Sequence, residues 1–188
     1  MWGFEPALSA VLVKDFFVEK GLNNILIPGF GYGRNAQIFI NSGMKVSGIE
    51  ISKTAIELAK KHFGQETTIY HGSVCDMPFD NLENDGIFSY ALIHLLSNDE
   101  RVKFIKDCYA QLSENGYMVF VVLSKKADSY GRGRCVSKDQ YEIYRGIKMY
   151  LYDEESIQEE FGDYGLSSIE EINESYPFYI IKCQKVKK

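Results

Sequence analysis

Three glycines, at positions 29, 31 and 33, follow directly on an apolar run in "ILIPGFGYGRN" (residues 25–35). Glycine reaches positive φ freely and, lacking Cβ, lets the backbone approach a ligand closely. A strand-to-helix turn needs one glycine, so three in alternation point to a ligand loop. The spacing is G-x-G-x-G. It misses the dinucleotide fingerprint, because Arg34 stands where the third glycine belongs, and it lacks the GK[ST] of a phosphate loop. Glu50 closes "KVSGIE", 21 residues after Gly29, where a carboxylate can accept both hydroxyls of a ribose. In "HGSVCDMPF" (residues 71–79), Asp76 can accept from an exocyclic amine such as adenine N6. A neighbouring backbone N–H can donate to a ring nitrogen, and Met77 can pack on the ring. "GIFSYALIHLL" brings Ser89, Tyr90 and Ala91 to the mouth of the same site, with Tyr90 next to the reacting group. His94 invites acid–base chemistry. Its apolar setting, with no partner Asp or Ser nearby, reads instead as a structural or pocket-wall residue.

These residues must be positioned by elements that alternate in period. Glu5-Pro6 opens a helix with Leu8, Val11, Leu12 and Phe16 on one face, stopped by Gly21. "NILI" is a short, continuously apolar strand of the kind buried on both faces. "RNAQIFINS" reads as a helix closed by Gly43, "KVSGIE" as a strand, and "SKTAIELAKKHF" as a helix capped by Ser52. "TTIYH" and "GIFSY" are strands. "SNDE" (residues 97–100) is a capping box that starts a helix running to about Ser113, ended by Gly116 before the strand "YMVFVVLS". Such β-α alternation predicts a mainly parallel sheet with helices on both faces. Asp153 caps the helix "DEESIQEEF". "SSIEEINE" and "FYIIKCQKV", separated only by "SYP", must pair antiparallel. The expectation is one domain over residues 1–188, with no internal repeat.

Composition narrows the function. A net charge of −5 argues against a general nucleic-acid or membrane-surface partner. No apolar run reaches 18 residues, and "MWGFEPALSA" does not read as a signal peptide. Cys75, Cys108, Cys135 and Cys183 are scattered without a CxxC pair, which fits reduced thiols in the cytoplasm rather than disulfides or a metal site. Residues 125–150 show no clear period and carry seven basic residues against three acidic ones. With Arg132, Arg134 and Arg145 interleaved by Tyr130, Tyr141 and Tyr144, they read either as a lid over a small, anionic acceptor or as a solvated loop. Trp2 and Phe4 either pack the first helix onto the sheet or cover part of the pocket.

Taken together, the glycine motif, Glu50 and "DMPF" resemble the class I S-adenosylmethionine-dependent methyltransferases. "NDGIFSYALIHLL" and "LSENGYMVFVVL" look like that family's fourth- and fifth-strand motifs, and the likeness spans about residues 20–125 plus the terminal hairpin. It implies a Rossmann-like, doubly wound, mainly parallel seven-stranded sheet with a C-terminal antiparallel hairpin. It implies S-adenosyl-L-methionine as cofactor, held by Gly29, Phe30, Gly31, Gly33, Glu50, Ile51, Cys75, Asp76, Met77 and Tyr90. The implied function is in-line methyl transfer to a small-molecule acceptor, with a non-catalytic S-adenosylmethionine or adenine-nucleotide binding domain as the alternative. The family often has an acidic residue two positions before the first glycine, and here that position is Ile27. The Pro-Gly form resembles the thiopurine and tellurite-resistance branch.

Overall fold

The computed structural model describes residues 3, 5–64, 67–144 and 146–186. Trp2, Phe4 and Arg145 lie outside the described residues. The chain runs α1 (Leu8–Glu19), β1 (Asn24–Pro28), α2 (Ala36–Asn41), β2 (Lys45–Glu50), α3 (Lys53–Phe63), β3 (Thr68–His71), β4 (Asn84–Tyr90), α4 (Asn98–Ala110) and β5 (Leu112–Leu123). There follow β6 (Arg134–Ser137), β7 (Gln140–Tyr144), β8 (Ile147–Tyr150), α5 (Glu154–Phe161), β9 (Leu166–Asn173) and β10 (Pro177–Gln184). Seven strands form one sheet in the order β3-β2-β1-β4-β5-β10-β9. The first five are parallel, and β10 pairs antiparallel with both β5 and β9. The sheet is therefore doubly wound, with its order reversing between β1 and β4. A crevice must open there, outside the carboxyl ends of those strands.

Strand periodicity sorts the core into two layers. Ile25, Ile27, Phe88, Val119 and Val121 face Ala10, Val13, Phe17 and Phe39 of α1 and α2. Leu26, Ile87, Met118, Phe120 and Val122 face Phe104, Ile105, Ile157 and Phe161 of α4 and α5. Apolar runs such as "YMVFVVL" have no polar face because both faces are covered.

Three expectations are corrected. α1 docks through Ala10, Val13 and Phe17, while Leu8 and Leu12 remain 55% and 46% exposed. The small Ala10 lets Phe17 settle against Phe39, with ring centroids 5.8 Å apart; a face led by the bulkier Leu8 and Leu12 would hold the helix off. α4 ends at Ala110 rather than near Ser113, because Leu112 is fully buried and already pairs with Asn84 in the sheet. Gly116 is not a helix stop: a Cβ there would lie 2.9 Å from the Asp85 carbonyl oxygen, so it permits the close approach of β4 and β5. Finally, residues 134–150 are neither a loop nor aperiodic. β6, β7 and β8 form an antiparallel meander of their own. Its sequence signal was the alternation Tyr141, Ile143 and then Ile147, Met149 around Gly146, broken by register shifts between Cys135 and Ser137 and between Glu142 and Tyr144.

Candidate functional site

The loop after β1 rises from the switch point. Gly29 and Phe30 N–H both donate to the Ile49 carbonyl (2.9 and 3.0 Å), which pins the loop onto the end of β2. The three glycines hold φ of +74°, +58° and +86°, a region that other residues enter only at a cost. A Cβ on Gly33 would sit 2.1 Å from the Phe63 ring and one on Gly29 3.0 Å from Leu92, whereas one on Gly31 would meet nothing within 4 Å. Gly33 and Gly29 therefore serve packing, and Gly31 borders open space. Phe30 is buried beneath the loop, its ring tilted edge-on to Phe63.

Glu50 performs a task the sequence did not announce. Its Oε2 accepts the Gly31 N–H and its Oε1 the Ser52 N–H, each at 2.7 Å. One carboxylate thus ties the glycine loop to the start of α3. Each oxygen keeps a further lone pair, so ribose hydroxyls still find acceptors. The Gly72 N–H donates to the Glu50 carbonyl at 3.0 Å, which starts the loop after β3 beside Glu50. In that loop Ser73 Oγ accepts the Cys75 N–H, Asp76 is exposed, and Ile51 is 69% exposed nearby in the chain after β2. Met77, expected to pack on a bound ring, is instead 4% exposed in the core with Leu26, Ile49 and Val74. Its backbone remains at the loop.

On the other flank of the glycine loop lies a cavity of about 520 Å³, lined by Gly29, Phe30, Gly31, Tyr90 and His94 among others. Gly33, Glu50, Ile51, Cys75, Asp76 and Met77 are not part of that lining. The predicted site residues thus divide into two groups that share the glycine loop. The cavity roof is the β6–β8 meander, through Ile143, Ile147 and Met149, and its far wall includes Phe178 of β10. Ala91, at the rim, holds φ of +51°, a strained setting for a residue with a side chain.

Tyr90 donates its O–H to Glu174 Oε2 at 2.9 Å. Burial, and then the Glu174 charge, pushes its phenol up to about 12. The Arg34 guanidinium lies 5.5 Å from the Tyr90 ring centroid. Arg34, Tyr90 and Ser175 also border a smaller hollow beside Glu5 and Glu174. Sequence reasoning missed Arg34 and Glu174 as site residues, since hairpin folding alone returns residue 174 to the end of β4. His94 occupies a 3₁₀ turn, Ile93–Leu95, immediately beyond β4. It is 6% exposed, and its Nδ1 has no hydrogen-bond partner. Burial lowers its pKa to about 4, so the ring is neutral near pH 7.

Three basic residues of the 125–150 segment, Lys125, Lys126 and Arg134, are drawn into ion pairs. Lys125 Nζ lies 2.8 Å from Asp139 and 2.6 Å from Asp153, Lys126 pairs with Glu171, and Arg134 lies 2.5 Å from Glu142. Lys125 is held charged by its two carboxylates, and Asp153 falls to about 2 against the opposing cost of burial.

Comparison with known proteins agrees with this geometry. Residues 26–120 match the family model of a methyltransferase domain. An uncharacterised methyltransferase of Bacillus licheniformis is 28% identical over 108 residues, covering 57% of this chain and 51% of its own. One of Oceanobacillus iheyensis is 32% identical over 103 residues, covering 55% and 48%. The chain spans about half the length of these curated relatives. Among solved structures, Burkholderia thailandensis 1,6-didemethyltoxoflavin-N1-methyltransferase, with 1,6-didemethyltoxoflavin and S-adenosylhomocysteine bound, superposes with a TM-score of 0.76. It is 14% identical, over 96% of this chain and 80% of that one. The magnesium protoporphyrin IX methyltransferase of Synechocystis, with S-adenosylmethionine bound, gives 0.70 at 14% identity, over 94% and 78%. At such identities the likeness is one of fold. The family model, by contrast, matches half of the sequence and includes the glycine loop, Glu50, Asp76 and His94, so the chain belongs to the methyltransferase domain family.

Proposed function

We propose that this protein transfers a methyl group from S-adenosylmethionine to a small-molecule acceptor held in the 520 Å³ cavity. The observation that carries the reading is the division of the site. The glycine loop has two carboxylate-bearing loops on one flank and an apolar cavity on the other. Glu50 accepts the ribose hydroxyls through its remaining lone pairs, Asp76 accepts from the adenine amine, and the backbone about Met77 serves a ring nitrogen. Gly31, with open space where a Cβ would stand, lets the methionine portion run close along the loop. Arg34 and Glu174, on either side of Tyr90, supply charges for the methionine carboxylate and ammonium in place of the acidic residue absent at Ile27. The cofactor brings an activated methyl and its own leaving group. The protein's contribution is alignment of the acceptor with that methyl and exclusion of water.

The bound acceptor of the Burkholderia protein is a small molecule, which supports the same class here. The basic segment by itself suggests an anionic acceptor; Lys125, Lys126 and Arg134 of that segment are engaged by carboxylates, and the apolar side chains Ile143, Ile147, Met149 and Phe178 in the lining suit an apolar acceptor. We read residues 1–188 as one domain. No helix among the described residues is long and apolar enough to cross a membrane, and the four thiols are unpaired, which supports a reducing, cytoplasmic setting. Calorimetry with S-adenosylhomocysteine, NAD and ATP tests the cofactor. Binding of S-adenosylhomocysteine alone is expected, and binding of NAD alone would overturn the reading. Label transfer from methyl-labelled S-adenosylmethionine then separates an enzyme from a binding domain.

A further inference from the structure

The cavity wall holds a polar group that the reading above does not use. His94 is 94% buried by its 6% exposure, lines the cavity, and leaves Nδ1 without a hydrogen-bond partner. A buried polar atom left unpaired is costly; Nδ1 is sealed from solvent in the empty cavity, so an occupant's donor pairs with it as the ring turns toward the cavity that His94 lines. The ring sits in the turn directly beyond β4, with Leu95 beside it on the same wall and the β8 residues Ile147 and Met149 across the roof. Arg34, Asn35, Ser129 and Ser175 are the polar part of the lining, and further aromatic and aliphatic walls are Phe88, Tyr90, Ile143 and Phe178. Such walls fit the faces of a flat, apolar molecule.

We infer that His94 is the hydrogen-bond acceptor for the methyl acceptor's nucleophilic N–H or O–H, and takes its proton during transfer. This rests on the methyl-transfer reading. The acceptor class that follows is a flat, largely apolar compound carrying an ionisable phenolic O–H or ring N–H. The step balances without another reactant. The nucleophile–hydrogen bond breaks as the nucleophile–carbon bond forms and the carbon–sulfur bond breaks. The proton passes to the imidazole, and the sulfonium's electron pair returns to sulfur. One positive charge stands in the site before the step, on sulfur, and one after it, on the imidazolium. The net charge of the buried site is therefore unchanged, and the imidazole can accept a proton there that it refuses in the empty cavity. Its neutrality beforehand suits this role, since an imidazolium has no lone pair to offer.

The test uses a matched pair, 2-naphthol and its methyl ether 2-methoxynaphthalene, with S-adenosylhomocysteine present. The ether keeps the flat apolar body and loses the donor. Wild-type protein is expected to bind the naphthol about tenfold more tightly than the ether, the range of one hydrogen bond to a buried acceptor. The naphthol should also shift the His94 ring nitrogens in ¹⁵N spectra. In His94→Ala and His94→Phe the preference should vanish, with S-adenosylhomocysteine affinity unchanged. Equal affinity for naphthol and ether in the wild type, a preference retained in both variants, or binding of neither compound would overturn the assignment. S-adenosylhomocysteine failing to bind the wild type would instead remove the methyl-transfer reading itself.

Discussion

Replacing Glu50 by alanine separates the structural from the ligand-binding role of one carboxylate. Two backbone N–H groups, of Gly31 and Ser52, each lose an acceptor at 2.7 Å. Hydrogen bonds to charged groups contribute ~1.5–3 kcal/mol each. Glu50 is partly exposed, so water compensates and the lower end applies, giving about 3 kcal/mol for the pair. For a chain of this length, each kcal/mol shifts Tm by ~2–4 °C. Glu50→Ala should therefore lower Tm by roughly 6–12 °C without ligand. Loss of two charge-assisted bonds to ribose hydroxyls should in addition weaken S-adenosylhomocysteine on the order of a hundredfold. Glu50→Gln retains one acceptor oxygen and turns an NH₂ toward the other N–H, so it should recover part of the Tm and little of the affinity. Differential scanning fluorimetry and titration calorimetry on the three proteins decide the matter. An S-adenosylhomocysteine Kd within threefold of wild type in Glu50→Ala would refute the ribose assignment, and an unchanged Tm would refute the tether.

Asp76 is exposed, so Asp76→Ala should leave Tm within about 1 °C. It should weaken S-adenosylhomocysteine roughly tenfold by calorimetry, and unchanged affinity would count against the adenine contact. Gly33→Ala must accept φ of +86° and displace Phe63 from 2.1 Å, a combined cost of about 2–4 kcal/mol measurable by urea denaturation. Lys125→Met leaves the buried Asp139 without its cation; a loss of about 3 kcal/mol is expected, with faster amide exchange concentrated in residues 134–150. His94 is neutral in the fold, with a pKa of about 4 against 6.5 for the free side chain. The unfolded chain thus binds the extra proton between those values, and this contribution to stability rises with pH through that window and is constant above it. From pH 7 to 5 it should fall by about 2 kcal/mol. His94→Phe should lack that increment in urea midpoints compared at the two pH values; equal losses in both proteins would contradict the burial argument.

Local chemistry in the sequence carried much of the fold. Apolar runs with no polar face, capped helices between them and a three-residue link before the last strand dictate a parallel sheet finished by a hairpin, because each signal lies within a few residues of its effect. The glycine spacing with Glu50 and Asp76 likewise picked out loops that lie together at the strand ends, since those ends gather at one edge of a parallel sheet. Tertiary packing decided the rest. The face of α1 that docks was set by which side chains let the helix approach, not by the larger apolar residues. Met77 went to the core and left only its backbone to the loop after β3. Lys125, Lys126 and Arg134 were drawn into ion pairs, while Ile143, Ile147 and Met149 of the same basic segment came to roof the cavity. Glu174 reached Tyr90 across 84 residues of chain, and His94 became a buried imidazole with an unpaired Nδ1. Contacts between distant segments depend on three-dimensional closure, and no local pattern of residues encodes them.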